Sequence, residues 1–148
     1  MNRLILAALT LLAGTAYACG PRARSAEPEQ RKVVTGPPIA AVLDVKIRDG
    51  IEFAFRVTNN ASRKLELIFP TGQTHDFVVV DSLGREVWRW SEGRMFTQAL
   101  QNKVLESRAS LSLTAAWRAE VPPGRYVAIA SLLSENKPLE QRVEFEVR

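Results

Sequence analysis

An all-β domain of stacked antiparallel sheets is the fold class this sequence predicts, and three observations predict it. From Ile39 onward apolar residues recur at every second position. Turn-forming residues interrupt these runs at intervals of roughly 8–12 residues. Few stretches carry apolar residues at the spacing of an amphipathic helix. With 148 residues there is room for one such domain and a leader, not for two domains.

The chain opens with Arg3 in a short positive segment and continues as an apolar run from Leu4 to Gly14. A run of that length is too short to span a membrane as a helix and reads as the core of an export signal. Small residues at Ala16 and Ala18 precede Cys19, the single cysteine of the chain. A lone thiol in that place resembles the lipobox of bacterial lipoproteins, although Ala16 and Tyr17 depart from its usual residues. Residues 1–18 are therefore expected to be a signal peptide, with Cys19 lipidated at the mature N-terminus and the protein held on a membrane surface. The alternative is ordinary cleavage after Ala18 that leaves a free thiol. Residues 20–38 are rich in Pro, Arg, Glu and small residues without a hydrophobic period, and are expected to form a flexible linker.

Residues 39–148 form the expected domain. Ile51, Phe53, Phe55 and Val57 alternate with Glu52, Ala54 and Arg56, which assigns the apolar set to one face of a strand. The same alternation returns in Leu65, Leu67 and Phe69, and again in Val143, Phe145 and Val147. Turns are expected at Asp49-Gly50, Asn59-Asn60, Thr71-Gly72, Leu83-Gly84, Pro123-Gly124 and Asn136-Lys137. Residues 95–101 are the one place where a turn or two of helix is expected, because Phe96, Ala99 and Leu100 fall at helical spacing. The runs count to about seven or eight strands, the pattern of an immunoglobulin-like sandwich. A lipocalin-like barrel is the alternative. Pro122-Pro123-Gly124-Arg125-Tyr126 favours the sandwich, since many such domains enter a late strand through a Pro-Gly turn followed by tyrosine. The expected core comprises Phe53, Phe55, Leu67, Phe69, Phe77, Val79, Trp117, Tyr126 and Phe145. Each is worth about 1.5–3 kcal/mol when buried.

Composition excludes several functions. Up to Pro38 there are five basic and two acidic residues; beyond it the balance is fifteen against fourteen, well interspersed. Such a domain lacks the basic stripe that nucleic acid requires. One cysteine and one histidine exclude an internal disulfide and a four-ligand zinc finger, and the carboxylates do not cluster as calcium ligands. His75 and Asp76 are adjacent, but no nucleophile elbow accompanies them, so no catalytic residue, metal or cofactor is expected.

Residues 69–100 are both aromatic and polar. Trp88 and Trp90 share one face of a strand, and a Gly-containing loop follows at once. Buried tryptophan anchors sandwich domains, yet Trp and Arg are also enriched where proteins bind partners. Gly72, Gln73, Asp76, Phe77, Asp81, Gly84, Trp88, Trp90, Ser91, Phe96, Thr97 and Gln98 fall in an order that strongly resembles the intracellular proteinase inhibitor (BsuPI) family. The resemblance implies a non-enzymatic domain that inhibits a serine protease, although an export leader is a departure from a family named for the cytoplasm. On this reading the partner-binding residues are Trp88, Trp90, Ser91, Glu92, Arg94, Met95, Phe96 and Thr97, with Arg94 or Met95 entering the specificity pocket and the two tryptophans bracing the loop. The alternative function is a surface-anchored envelope module that binds another envelope protein and has no protease target.

Overall fold

The computed structural model describes residues 37–148 apart from 119 and 120. The expected signal peptide, the expected lipidation site Cys19 and the expected linker up to residue 36 lie outside the described residues. Nine strands follow one another: β1 (Ile39–Ile47), β2 (Ile51–Asn59), β3 (Leu65–Phe69), β4 (His75–Asp81), β5 (Glu86–Arg89), β6 (Gln101–Leu105), β7 (Ser110–Trp117), β8 (Gly124–Leu132) and β9 (Leu139–Val147). All pair antiparallel, in the orders β1-β2-β7, β3-β6 and β5-β4-β8-β9.

The count is nine against the expected seven or eight. β3–β6 continues the β2–β7 ladder beyond an irregular step formed by residues 60–64 and 106–109. Asn59, fully buried, holds that step together. Its side-chain amide donates to the carbonyls of Arg63, Leu105 and Glu106, and its Oδ1 accepts from the Ala61 amide. The group thus satisfies backbone carbonyls that the interrupted ladder leaves without partners.

The period-two pattern fixes the core. Phe53, Phe55 and Val57 of β2 bury against Phe77 and Val79 of β4, with Phe53 5.9 Å and Phe55 6.5 Å from Phe77 between ring centroids. Eight of the nine expected core residues are buried; Phe145 is half-buried and stacks on Tyr126 at 5.8 Å. The Tyr126 hydroxyl donates to the Pro122 carbonyl at 2.7 Å, the tyrosine corner of immunoglobulin-like sandwiches. This contact is the physical reason for the Pro-Pro-Gly-Arg-Tyr turn. β9 packs against β1 and closes one side of the sandwich. On the other side the terminal strands are β5 and β7. There Trp88 stacks between Phe53 at 5.3 Å and Trp117 at 5.4 Å, bridging the layers.

No helix forms at residues 95–101. That segment must travel from β5 in one sheet to β6 in the other, and Thr97 gives its carbonyl to the Gly72 amide at 2.8 Å rather than to a helical turn.

Candidate functional site

The β4–β5 hairpin sets the site's geometry. Asp81 caps its turn, with Oδ1 accepting from the amides of Leu83 and Arg85, while Gly84 adopts a φ of 77° that a residue with a Cβ resists. The hydrogen bond from the Arg85 backbone, reinforced by the Arg85 guanidinium, holds the Asp81 carboxyl below its ordinary value. Pairing then places Trp88 opposite Val79, and the Trp90 amide donates to the Phe77 carbonyl. Both tryptophans therefore lie in rows whose β4 members are buried core residues, and both are half-buried against the core.

The next row joins Asp76 to Ser91. Asp76 is buried at 6% exposure, and both of its oxygens are engaged. Oδ1 accepts from the Phe77 and Ser91 amides, and Oδ2 accepts from Ser91 Oγ at 2.7 Å and from Arg89 at 2.8 Å. Arg89 also pairs with Glu86, and that hydrogen bond, ahead of the one to Asp76, raises the guanidinium pKa while lowering that of Glu86. The carboxylate thereby fastens the point at which the chain leaves β5.

From that anchor the loop turns tightly. The Glu92 amide donates to the Arg89 carbonyl and the Arg94 amide to the Ser91 carbonyl, across Gly93 at a φ of 70°. Arg94 folds back: its Nε donates to the Trp90 carbonyl at 2.7 Å and its guanidinium carbon lies 4.5 Å from the Trp90 ring centroid. Met95 does the opposite and stands 98% exposed. Phe96 returns, half-buried, to within 5.8 Å of Trp90. Thr97 then meets Gly72 so closely that a Cβ on the glycine would lie 2.6 Å from Thr97 Oγ1. The segment is thus braced at both ends and free at its tip.

His75 completes the underside. Its ring stacks on Trp90 at 4.3 Å and meets Phe77 edge-on at 5.6 Å. Nδ1 is bonded to Thr74 Oγ1, and Nε2 is buried without a partner among the described residues. Burial lowers the imidazole pKa; Asp76 opposes the shift and Lys103 and Arg94 add to it. A neutral, stacked ring is a packing element.

The residues singled out from the sequence therefore divide. Trp90, Ser91, Arg94, Phe96 and Thr97 come together around one loop, with Glu92 and Met95 exposed on it. Trp88 lies apart, stacked on Phe53 and Trp117. Sequence reading missed Asp76, Gly72 and His75 as the parts that hold the loop. Extending the expected hairpin by one row beyond Phe77 would have placed Asp76 opposite Ser91; Gly72 and His75 gave no such signal. Among the described residues no group of three His, Cys, Asp or Glu side chains could hold a metal ion.

The sandwich thus carries, at one hairpin corner, a loop fastened at Asp76 and Gly72 with Met95 exposed at its tip. The family profile described as intracellular proteinase inhibitor (BsuPI) matches residues 41–137, and the chain belongs to that family. No curated protein sequence matches it. Among solved structures, the chain is similar to the structural-genomics target SoR45 at 10% identity, covering 76% of this chain and 87% of that one with a TM-score of 0.42. It is also similar to part of the β-glucosidase EmGH1 of Erythrobacter marinus (16% identity, 72% and 15% covered, TM-score 0.39) and to the ApaA protein of Bordetella pertussis (17% identity, 74% and 89% covered, TM-score 0.35).

Proposed function

We propose that this chain inhibits a serine protease outside the cytoplasm by binding without chemistry, and that the loop of residues 91–97 enters the protease cleft with Met95 leading. Family membership supports inhibition in general. The observation that carries the site is the contrast between neighbours: Met95 is 98% exposed, whereas Arg94 is folded onto Trp90. A loop already held at Asp76 and Gly72 loses little conformational entropy on binding, which is the advantage of a preorganised inhibitor. Met95 suits an apolar specificity pocket better than the acidic pocket of a trypsin-like enzyme. We further propose that lipidation of Cys19 holds the protein at a membrane surface, with residues 20–38 as its tether.

The test is to titrate subtilisin-like and trypsin-like proteases with the full chain. Stoichiometric loss of a subtilisin-like activity is expected, and Met95→Asp should weaken it at least tenfold. No loss against any member of the panel would overturn the inhibitor reading in favour of a surface-anchored interaction module.

A further inference from the structure

We infer that Met95 is a reversible oxidation site, and that converting its thioether to the sulfoxide with a hydroperoxide switches off the binding of the loop to a protease. The inference rests on the inhibitor reading of residues 91–97 and adds a means of regulation to it.

Sulfur is scarce in this chain. Apart from Met1 and Cys19, both outside the described residues, Met95 carries the only sulfur atom. A thioether in a folded domain commonly lies in the core or against an aromatic ring, where it is shielded. Met95 is instead 98% exposed, ahead of Leu83 at 75% as the next large apolar residue. The rings beneath the loop are engaged elsewhere: Trp90 by His75 and Arg94, and Phe96 by Trp90. The same contacts isolate the tip. Arg94 folds onto Trp90 and Phe96 returns to it, so both chain neighbours of Met95 turn into the domain and the thioether stands clear between them.

That exposure sets the chemistry, because oxidation of methionine follows access to its sulfur. The sulfur lone pair forms an S–O bond to the terminal oxygen of the hydroperoxide. The O–O bond breaks, and the proton of the transferred oxygen passes to the departing one, which leaves as water or an alcohol. Sulfur is oxidised by two electrons and the peroxide is reduced by two. Thiol-dependent methionine sulfoxide reductases reverse the step: two thiols supply two electrons and two protons, the S–O bond breaks, its oxygen leaves as water, and the thiols end as a disulfide.

The consequence falls on binding alone. The Met95 side chain packs against nothing in the domain, so a sulfoxide there leaves the fold as it is. In the apolar pocket of a protease the sulfoxide oxygen is a buried acceptor without a donor, which opposes binding. Arg94 does not supply that donor while its Nε is given to the Trp90 carbonyl and its guanidinium lies over the Trp90 ring. A leucine would present an equally apolar tip but has no such second state.

The test treats the full chain with hydrogen peroxide, locates the added oxygen by peptide mass spectrometry, and titrates a subtilisin-like protease with untreated and oxidised chain. Met95 should oxidise within about threefold of the rate of a free methionine amide. The oxidised chain should inhibit about tenfold or more weakly while its Tm stays within about 2 °C, and reductase treatment should restore inhibition. Met95→Leu taken through the same peroxide treatment should keep its own affinity within about twofold, which separates Met95 from oxidation at Met1 or Cys19. Undiminished inhibition by a chain carrying the oxygen on Met95 would overturn the inference and leave the inhibitor reading standing. An equal peroxide effect on Met95→Leu, or a matching collapse of Tm, would also overturn it. An untreated chain that inhibits no protease would overturn the inhibitor reading and the switch with it.

Discussion

The structure makes Asp76 the fastening of the loop, and replacing it by asparagine tests that role with almost no change of volume. Asp76 accepts four hydrogen bonds, from Phe77 N, Ser91 N, Ser91 Oγ and Arg89. Asparagine keeps one acceptor oxygen and turns its NH2 either to the Phe77 and Ser91 amides or to Arg89 and Ser91 Oγ, a set in which only the hydroxyl can rotate to accept. The charge-assisted bond to Arg89 would be worth about 1.5–3 kcal/mol in a buried setting. The Arg89 side chain is 40% exposed and retains Glu86, so the lower end of that range applies. A second bond, to Ser91, is weakened or lost for about 1 kcal/mol more. The expected destabilisation is therefore about 2–3 kcal/mol, or a drop of roughly 8–12 °C in Tm for a domain of this size. Urea unfolding should show a lower midpoint at an unchanged slope. Amides of residues 91–97 should exchange faster under native conditions before global unfolding contributes. A loss within 0.5 kcal/mol, or a loss with loop exchange unchanged, would refute the claim that this carboxylate holds the loop.

Three other outcomes are expected. His75 has a lowered pKa in the folded state, so between that value and its ordinary one the unfolded chain binds more protons. Stability should thus fall as pH drops through about 6.5 and level off below the folded value, and His75→Phe should flatten urea midpoints measured from about pH 7.5 to 5. Asp81 and Glu86, whose pKa values are also lowered, act only at more acidic pH. Gly72→Ala places a Cβ against Thr97 Oγ1 and should cost about 1–3 kcal/mol. Adding Thr97→Ala should recover about 1 kcal/mol in a double-mutant cycle, and strict additivity would show that the two do not meet. Cys19→Ser should move the protein from the membrane to the soluble fraction on cell fractionation; an unchanged distribution would refute anchoring through that residue.

The fold was legible because alternation leaves little choice. Once Phe53, Phe55 and Val57 must share a buried face, their register against neighbouring strands is constrained, and a one-residue slip would expose all three. The loop after Trp90 was legible too, since glycine and polar residues follow a strand directly. Its supports were harder to see. Asp76 stands near a strand end, where a carboxylate ordinarily faces solvent, and its partners Arg89 and Ser91 lie 13 and 15 residues further along the chain. Asn59 looked like a turn residue, and local sequence cannot show that its amide answers carbonyls some 46 residues away. Residues 95–101 had the spacing of a helix turn, but the crossing between sheets and the Gly72–Thr97 contact prevailed over it.

The residues that carry the family resemblance and the residues that would carry specificity are different sets. Asp76, Gly84, Trp90, Ser91, Phe96 and Thr97 build the hairpin, fasten the corner and floor the loop. Trp88 packs, half-buried, against the core. Glu92, Arg94 and Met95 fall outside the pattern, and Met95 is the most exposed large apolar residue described. A sequence pattern set by buried contacts can persist while the tip changes, because Glu92 and Met95 stand exposed and the Arg94 side chain meets the domain only at Trp90. Membership in the family therefore fixes the platform, and on the proposed inhibitor reading identification of the target would rest on the chemistry of Glu92, Arg94 and Met95. An apolar tip at Met95 beside a cation immobilised on Trp90 directs the search to proteases with deep apolar pockets. Exchanging only residues 92, 94 and 95 should change which protease is bound while leaving Tm within about 6 °C, because three surface substitutions of at most about 0.5 kcal/mol each add to about 1.5 kcal/mol.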